Sequence, residues 1–273
     1  MLYAPISVII PCYKCSTTIT RAVQSVLKQS ILPTEIILID DCSPDNGQTL
    51  AQLDELQKKY TEKVHIIVLQ LADNQGPASA RNAGWEAASQ SYIAFLDADD
   101  AWHSEKIKIQ SQWMAEHPDA VLTGHTYQQI ADGEEQTINS HPKIHKVAQI
   151  SPQTLLYNNY FYTRTVMVKR DIPQRFTDNK RYSEDYLLWL QVAYHAGNVY
   201  RLDCSLAFVF KSDYGDEGLS AQLWPMEKGE LETYEILAKQ EQLGGLFLRY
   251  LKIRSLLKYV NRVLQVYSHK ILK

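Results

Sequence analysis

The sequence predicts an α/β fold, a mostly parallel sheet flanked by helices with a C-terminal helical extension. Three observations predict it. Short apolar runs alternate with helix-period segments through the first hundred residues, the order that builds parallel βαβ units. Hydrophobic residues make up 45% of the 273 and charged residues 22%, a globular composition. From Met226 onward the pattern is helical throughout.

Taken in order, Ile6–Ile10 reads as a buried strand and Ile19–Leu27 as a helix, with Ser16 or Thr17 as its N-cap. Glu35–Asp40 is a second strand. Gln48–Tyr60 is a helix with Leu50, Leu53 and Leu56 at helical spacing. Val64–Leu69 is a third strand, Pro77–Ala88 a helix with proline in its first turn, and Tyr92–Leu96 a fourth strand. Ser104–His117 is helical and stops at Pro118, and Ala120–His125 is a further strand. Residues 131–152 are polar and irregular, a loop or hairpin. Glu184–Ala196 is a helix closed by Gly197, and Val199–Phe210 contains one more strand. Residues 211–222 are a polar loop. The chain divides at 1–103, 104–225 and 226–273.

The charge is uneven. The formal net is -3, but from Gln242 on there are seven Lys or Arg and no Asp or Glu. The preceding 241 residues hold 21 basic and 31 acidic residues, a net of -10. An acidic body argues against nucleic acid as the main partner. The first apolar run is too short for a signal peptide, and no stretch is apolar enough to span a bilayer. A cytoplasmic location is expected, in which Cys12, Cys15, Cys42 and Cys204 form no structural disulfides. Cys12 and Cys15 make a C-x-x-C, but no second cysteine pair completes a zinc site. His141 and His145 stand four apart, but His141 precedes Pro142, which argues for a loop. Seventeen tyrosines suit half-buried packing and sugar binding alike.

In open α/β sheets ligands bind beyond the carboxyl ends of the strands. Three loops follow the first, second and fourth strands: Pro11-Cys12-Tyr13, Asp40-Asp41-Cys42-Ser43 and Asp97-Ala98-Asp99-Asp100. Carboxylates this close repel one another unless a cation or proton intervenes. Mg²⁺ or Mn²⁺ fits, because both favour carboxylate oxygens and share their shell with substrate phosphates. The alternative is a solvated acidic turn that caps the helix near Ser104.

Four segments, in order, resemble the family-two glycosyltransferases of the GT-A fold, whose sheet is Rossmann-like. They are Ser7–Tyr13 (SVIIPCY), Glu35–Ser43 (EIILIDDCS), Asn74–Gly84 (NQGPASARNAG) and Phe95–Asp100 (FLDADD). The resemblance is dense over the first hundred residues and looser over the next hundred. It implies that residues 1–103 bind a nucleotide-sugar and that 104–225 bind the acceptor, while 226–273 read as basic amphipathic helices from their charge and periodicity. Pro11 and Tyr13 would flank the base, and Asp41 would accept from its imide, which favours uracil. Arg81 would lie near the diphosphate, and Asp97 would contact ribose or donor sugar beside Ala98. Asp99, with Asp97, would hold the metal. Lys14 departs from the asparagine that the family carries there.

Ser183-Glu184-Asp185 opens a helix, where acids suit the dipole. In the resembling family such a pair includes the catalytic base. Asp185 would take the acceptor proton, with Glu184 as the second candidate. Lys211 and the Gly215–Ser220 loop either close over the diphosphate or form a surface turn. The function implied is an inverting transfer from a UDP-sugar by a hexosyl- or N-acetylhexosaminyl-transferase. The acceptor implied is a saccharide of bacterial surface polysaccharide or lipooligosaccharide, free or lipid-linked. The rival is a catalytically inactive scaffold on the same fold. A dinucleotide-dependent oxidoreductase is excluded by the absence of G-x-G-x-x-G after the first strand, and a nucleotidyltransferase by the absence of a Gly-rich basic loop there.

In the tail, Arg254, Lys258 and Arg262 recur on one helical face and Ile253, Leu257, Val260, Leu264 and Tyr267 on another. One reading places this helix peripherally on the cytoplasmic face of the inner membrane, on anionic lipid. The other packs the apolar stripe on the catalytic domain or on a second subunit of a homo-oligomer and leaves the cations in water.

Overall fold

The structure, a computed structural model, describes residues 2–130, 142–210 and 221–271, with side chains as far as residue 266. His141, Lys211, the Gly215–Ser220 loop and the Tyr267 side chain lie outside the described residues. The strands are β1 (Tyr3–Cys12), β2 (Leu32–Asp40), β3 (His65–Gln70), β4 (Tyr92–Phe95) and β5 (Ala101–Trp102), then β6 (Leu122–Gln129), β7 (Val147–Gln149), β8 (Met167–Lys169) and β9 (Val199–Val209). The helices are α1 (Ile19–Leu27), α2 (Gln48–Tyr60), α3 (Gly76–Ala87) and α4 (Lys106–Glu116), then α5 (Pro152–Tyr157), α6 (Glu184–Ala196), α7 (Leu223–Lys239) and α8 (Gly245–Ile271).

One sheet runs β3-β2-β1-β4-β8-β6-β9-β5, with β7 also paired to β9. Strands β1 to β4 are mutually parallel, β8 runs against its neighbours β4 and β6, and β9 is parallel to β6. The sheet is therefore mostly parallel, as the alternation predicts. Side chains alternate between its two faces. Val8, Ile10, Ile36 and Leu38 join a core under α1, α2 and α4, whereas Ile9, Ile37 and Ile39 join one under α3 and α6.

Register brings the functional loops level. Cys12 pairs with Asp40, and Asp40 with Gln70. Ile9 pairs with Phe95, so the 97–100 turn leaves β4 beside the end of β1. Helix α3 crosses these strands at close range at Gly84, where a Cβ would fall 2.7 Å from Ile9 and 2.8 Å from Ile39.

Several elements differ from the sequence reading. The cap of α1 is Thr18 rather than Ser16 or Thr17, and the carbonyl of Cys15 accepts from the N–H groups of Thr18 and Ile19. Strands β5, β7 and β8 have two or three residues each, too short to show a period. Cys12 and Cys15 are buried free thiols in the core, and burial pushes the Cys12 thiol up, the reverse of a reactive cysteine.

The tail is helical and turns cations inward, so the apolar stripe does not pack on the catalytic domain, and the second-subunit alternative stands. Arg254 donates to the carbonyl of Tyr157 at 3.0 Å, Lys258 approaches Glu230 at 3.6 Å, and Ser255 is buried against Glu227. Ile253, Leu257, Val260 and Leu264 are 60%, 67%, 53% and 63% exposed. Among the described residues no helix is long and apolar enough to cross a membrane.

Candidate active site

A cleft of about 1040 Å³ opens at the carboxyl ends of β1, β2 and β4. Pro11, Tyr13, Asp41, Arg81, Asp97, Ala98, Asp99, Glu184 and Asp185 all line it. Every described site residue that the sequence singles out is thus in one place, although the residues span 175 positions of chain.

The β1 end supplies Tyr13, which is 45% exposed and lines the cleft, with the Lys14 ammonium 5.5 Å from its ring centroid. Lys14 follows in the left-handed region (φ 50), and its N–H donates to Ser43 Oγ, tying the β1 and β2 loops together. Asp41 is buried and serves the N-terminus of α3. Its carboxylate accepts from Asn74 Nδ2 and from the Gln75 and Gly76 N–H groups, each at 2.8 Å. Burial raises its pKa against these donors. Gly76 has φ 86, a conformation that suits glycine at this close turn. Asp41 thus shapes the loop that leads into α3, and Oδ1 keeps acceptor capacity beyond the Gln75 N–H.

The floor is a chain of alternating charges. Arg81 of α3 donates from Nη1 to Glu184 (2.8 Å) and from Nη2 to Asp97 (2.9 Å). Arg164 donates to Asp100 at 2.9 Å and lies 3.8 Å from the other oxygen of Asp97. Burial works against both guanidinium charges, but Asp97 and Glu184 around Arg81, and Asp100 and Asp97 around Arg164, more than offset it. Burial pushes Asp100 and Glu184 up to about 7, each opposed by its arginine. Both Nη groups of Arg81 bind carboxylates, so it acts on Asp97 and Glu184 directly.

Arg164 and Thr163 were not marked by the sequence. They sit in a 3-10 turn (Thr163–Thr165) pinned by Trp102, whose Nε1 donates to the Arg164 carbonyl at 2.8 Å. A one-turn element carries no period, and the pairing of Arg164 with Asp100 spans 64 residues. The Asp97–Asp100 turn is further held by Arg21, which donates to the Asp99 carbonyl at 2.7 Å.

Asp185 differs from its neighbour. Its carboxylate is half-buried at the first turn of α6, and it accepts from Thr163 Oγ1 at 3.0 Å and from the Tyr186 N–H at 2.7 Å. Burial raises its pKa, opposed by Arg81 and the Thr163 hydroxyl. Ser183 enters the helix in the left-handed region (φ 53), and Tyr182 is backed by Gly229 of α7, where a Cβ would lie 2.5 Å from the Tyr182 carbonyl oxygen. This close packing fixes the level at which Asp185 meets the cleft.

The donor set suits a hard divalent ion. Asp97 and the half-buried Asp99 present carboxylate oxygens to a cleft large enough for a diphosphate. Among the described residues no group of three or more His, Cys, Asp or Glu could hold a metal unaided. Two carboxylates with substrate phosphates completing the shell is the usual arrangement for Mg²⁺.

Known proteins share this sequence and architecture. The model of the family described as Glycosyl transferase family 2 matches residues 7–187. The putative teichuronic acid biosynthesis glycosyltransferase TuaG of Bacillus subtilis is 33% identical over 204 residues, covering 74% of this chain and 77% of that protein. The UDP-Glc:α-D-GlcNAc-diphosphoundecaprenol β-1,3-glucosyltransferase WfgD of Escherichia coli is 28% identical over 204 residues, covering 73% of each. Among solved structures, Staphylococcus aureus TarS 1–349 in complex with UDP-GlcNAc aligns with a TM-score of 0.69 at 22% identity, over 96% of this chain and 72% of that one. The mannosyltransferase PcManGT of Pyrobaculum calidifontis, in complex with GDP-Man and Mn²⁺, aligns with a TM-score of 0.65 at 14% identity, over 92% and 72%. These two likenesses show the fold, which is GT-A type. One carries a uridine and the other a guanosine donor, so the fold by itself does not choose the base.

Proposed function

The chain belongs to glycosyl transferase family 2, and from that premise we propose that it moves a hexosyl or N-acetylhexosaminyl unit from a UDP-sugar to a hydroxyl of a saccharide acceptor. The transfer inverts the anomeric carbon and serves the assembly of bacterial surface polysaccharide or lipooligosaccharide, as the names of TuaG and WfgD support. The observation that carries the reading is Asp185, a half-buried carboxylate in the same cleft as Tyr13 and Asp99.

Residues 1–103 bind the donor. Pro11 and Tyr13 flank the base, and the remaining acceptor capacity of Asp41 meets the imide N–H of uracil. Asp99, with Asp97, would hold Mn²⁺ or Mg²⁺, which supplies positive charge against the departing diphosphate. Residues 104–225 bind the acceptor. Asp185 accepts the proton of the acceptor hydroxyl as that oxygen attacks, and its raised pKa makes it a stronger base than an ordinary aspartate. Glu184, buried and bound to Arg81, steadies the floor beneath it. The inactive-scaffold alternative is disfavoured by the gathering of Asp97, Asp99, Glu184 and Asp185 in one cleft, which a fold alone does not require.

Calorimetry with UDP, GDP and CDP in the presence of Mn²⁺ tests the donor. UDP should bind tightest, and tighter GDP binding would overturn the assignment. Transfer that persists in excess EDTA would overturn the metal.

The exposed stripe of α8 supports a peripheral position on the cytoplasmic face of the inner membrane, where the lipid-linked acceptor named for WfgD would be at hand. Each basic residue near an anionic surface contributes roughly 1 kcal/mol, but Arg254 and Lys258 turn inward to Tyr157 and Glu230, so the apolar stripe is the main anchor. In co-sedimentation with phosphatidylglycerol vesicles the full chain should pellet, and Leu257→Glu with Val260→Glu should stay in solution. Equal behaviour of the two would remove the membrane role and favour the alternative of a second subunit on that face.

A further inference from the structure

A second cavity, of about 320 Å³, lies beside the reaction cleft. Tyr127 from β6, Arg201 from β9, and Asn159, Tyr160 and Tyr162 from the segment after α5 line it. Asn159 and Tyr162 also line the reaction cleft, so the two spaces share a wall. The volume is at the lower end of the range for ligand sites, about 300–1,000 Å³, which suits one sugar unit rather than a nucleotide.

The fold builds this cavity. Gly124 on β6 pairs with Arg201 on β9, and a Cβ at Gly124 would fall 2.7 Å from the Phe161 ring. The missing side chain lets the 158–162 segment lie against β6 and brings its tyrosines to Tyr127. The Tyr127 and Tyr162 rings meet edge to face, with centroids 4.8 Å apart. The Arg201 guanidinium lies 5.4 Å from the centroid of the Tyr160 ring and makes no ion pair among the described residues. His125 also lines the cavity. Its Nδ1 can only donate to the Thr126 carbonyl (2.7 Å), which leaves Nε2 a bare acceptor without a partner.

Arg201 and the tyrosines match an acidic sugar, and the Nε2 acceptor matches a sugar hydroxyl. Tyrosine offers a flat apolar face with a polar tip, which suits the two-sided character of a pyranose. A guanidinium with free donors binds a carboxylate through paired hydrogen bonds. We infer that this cavity binds the acceptor unit next to the one bearing the reacting hydroxyl, and that Arg201 selects a unit carrying a carboxylate. The inference rests on the transferase reading, because the wall shared through Asn159 and Tyr162 is what ties the cavity to the acceptor.

Ligand-observed NMR titration of the full chain with methyl β-D-glucuronide and methyl β-D-glucoside tests it. The glucuronide should bind about tenfold more tightly than the glucoside, the difference a charge-assisted contact gives. Arg201→Gln should erase that preference, and Tyr160→Ala should weaken both sugars. Calorimetry with UDP should give the same affinity in both variants, which also establishes that they fold. Equal binding of the two sugars, a preference that survives Arg201→Gln, or binding of neither sugar overturns the subsite. A chain that binds glucuronide but no UDP would instead count against the donor reading and leave the subsite standing.

Discussion

The floor of the cleft and its wall at α6 hold the same kind of residue under different conditions. On the floor Glu184, Asp97 and Asp100 each pair with an arginine, and Glu184 and Asp100 are buried. On the wall Asp185 is half-buried and held by a hydroxyl and a backbone N–H, with no guanidinium in direct contact among its bonds. A buried carboxylate needs a cation beside it, and that cation occupies the oxygens a substrate would use. Glu184 and Asp100 therefore hold the floor together, whereas each oxygen of Asp185 accepts one uncharged donor and keeps a further lone pair. Sequence adjacency of Glu184 and Asp185 conceals this difference.

The sharpest way to break the comparison is Asp185→Asn. Loss of a general base should lower kcat by about 10²–10⁴-fold, while UDP affinity measured by calorimetry stays near that of the unaltered chain. A turnover close to normal would mean that the two regions do not differ in role. Next is Arg81→Met, which leaves Glu184 and Asp97 without their shared cation. Breaking a buried pair from one side should cost about 3–5 kcal/mol of stability, read from denaturant unfolding. A midpoint that does not move would show that the floor is not held by its ion pairs.

Asp99→Asn should cost about 10²-fold in kcat, in the range of losing one electrostatic contact to the reacting groups, with an unchanged unfolding midpoint. A fall in stability equal to that of Arg81→Met would place Asp99 with the floor. The smallest effect belongs to Thr163→Val. The base must be deprotonated to work, so the rate rises as pH climbs through its pKa. Burial already sets that limb above the ordinary aspartate value, and the Thr163 hydroxyl holds it down by favouring the charged form. Removing the hydroxyl should move the acid limb of kcat upward by about one unit or less. A limb that moves down would overturn Asp185 as its origin.

Much of the part of the cleft built by β1, β2 and β4 was legible in the sequence. The helices Ile19–Leu27, Gln48–Tyr60 and Glu184–Ala196 have the bounds that periodicity gave them. Apolar repeats there extend over two turns or more, and Gly197 marks the end of the last one. Strands β1, β2 and β4 were equally plain, since buried parallel strands read as continuous apolar runs. Because strand order and direction fix where loops emerge, the convergence of Tyr13, Asp41 and Asp99 followed from the same pattern.

Local pattern determined the elements, the strand-end loops and the acidic pair at α6. Tertiary structure decided what those residues touch. The pairing of Arg164 with Asp100 and of Arg81 with Glu184 joins residues 64 and 103 apart, and no local period encodes such contacts. The faces of α8 were decided in the same way. Periodicity separates its cations from its apolar residues, but Glu230 on α7 and the Tyr157 carbonyl draw Lys258 and Arg254 inward. The stripe at Ile253, Leu257, Val260 and Leu264 is left facing out. An amphipathic pattern fixes that a helix has two faces, while the neighbours it meets determine which face turns inward.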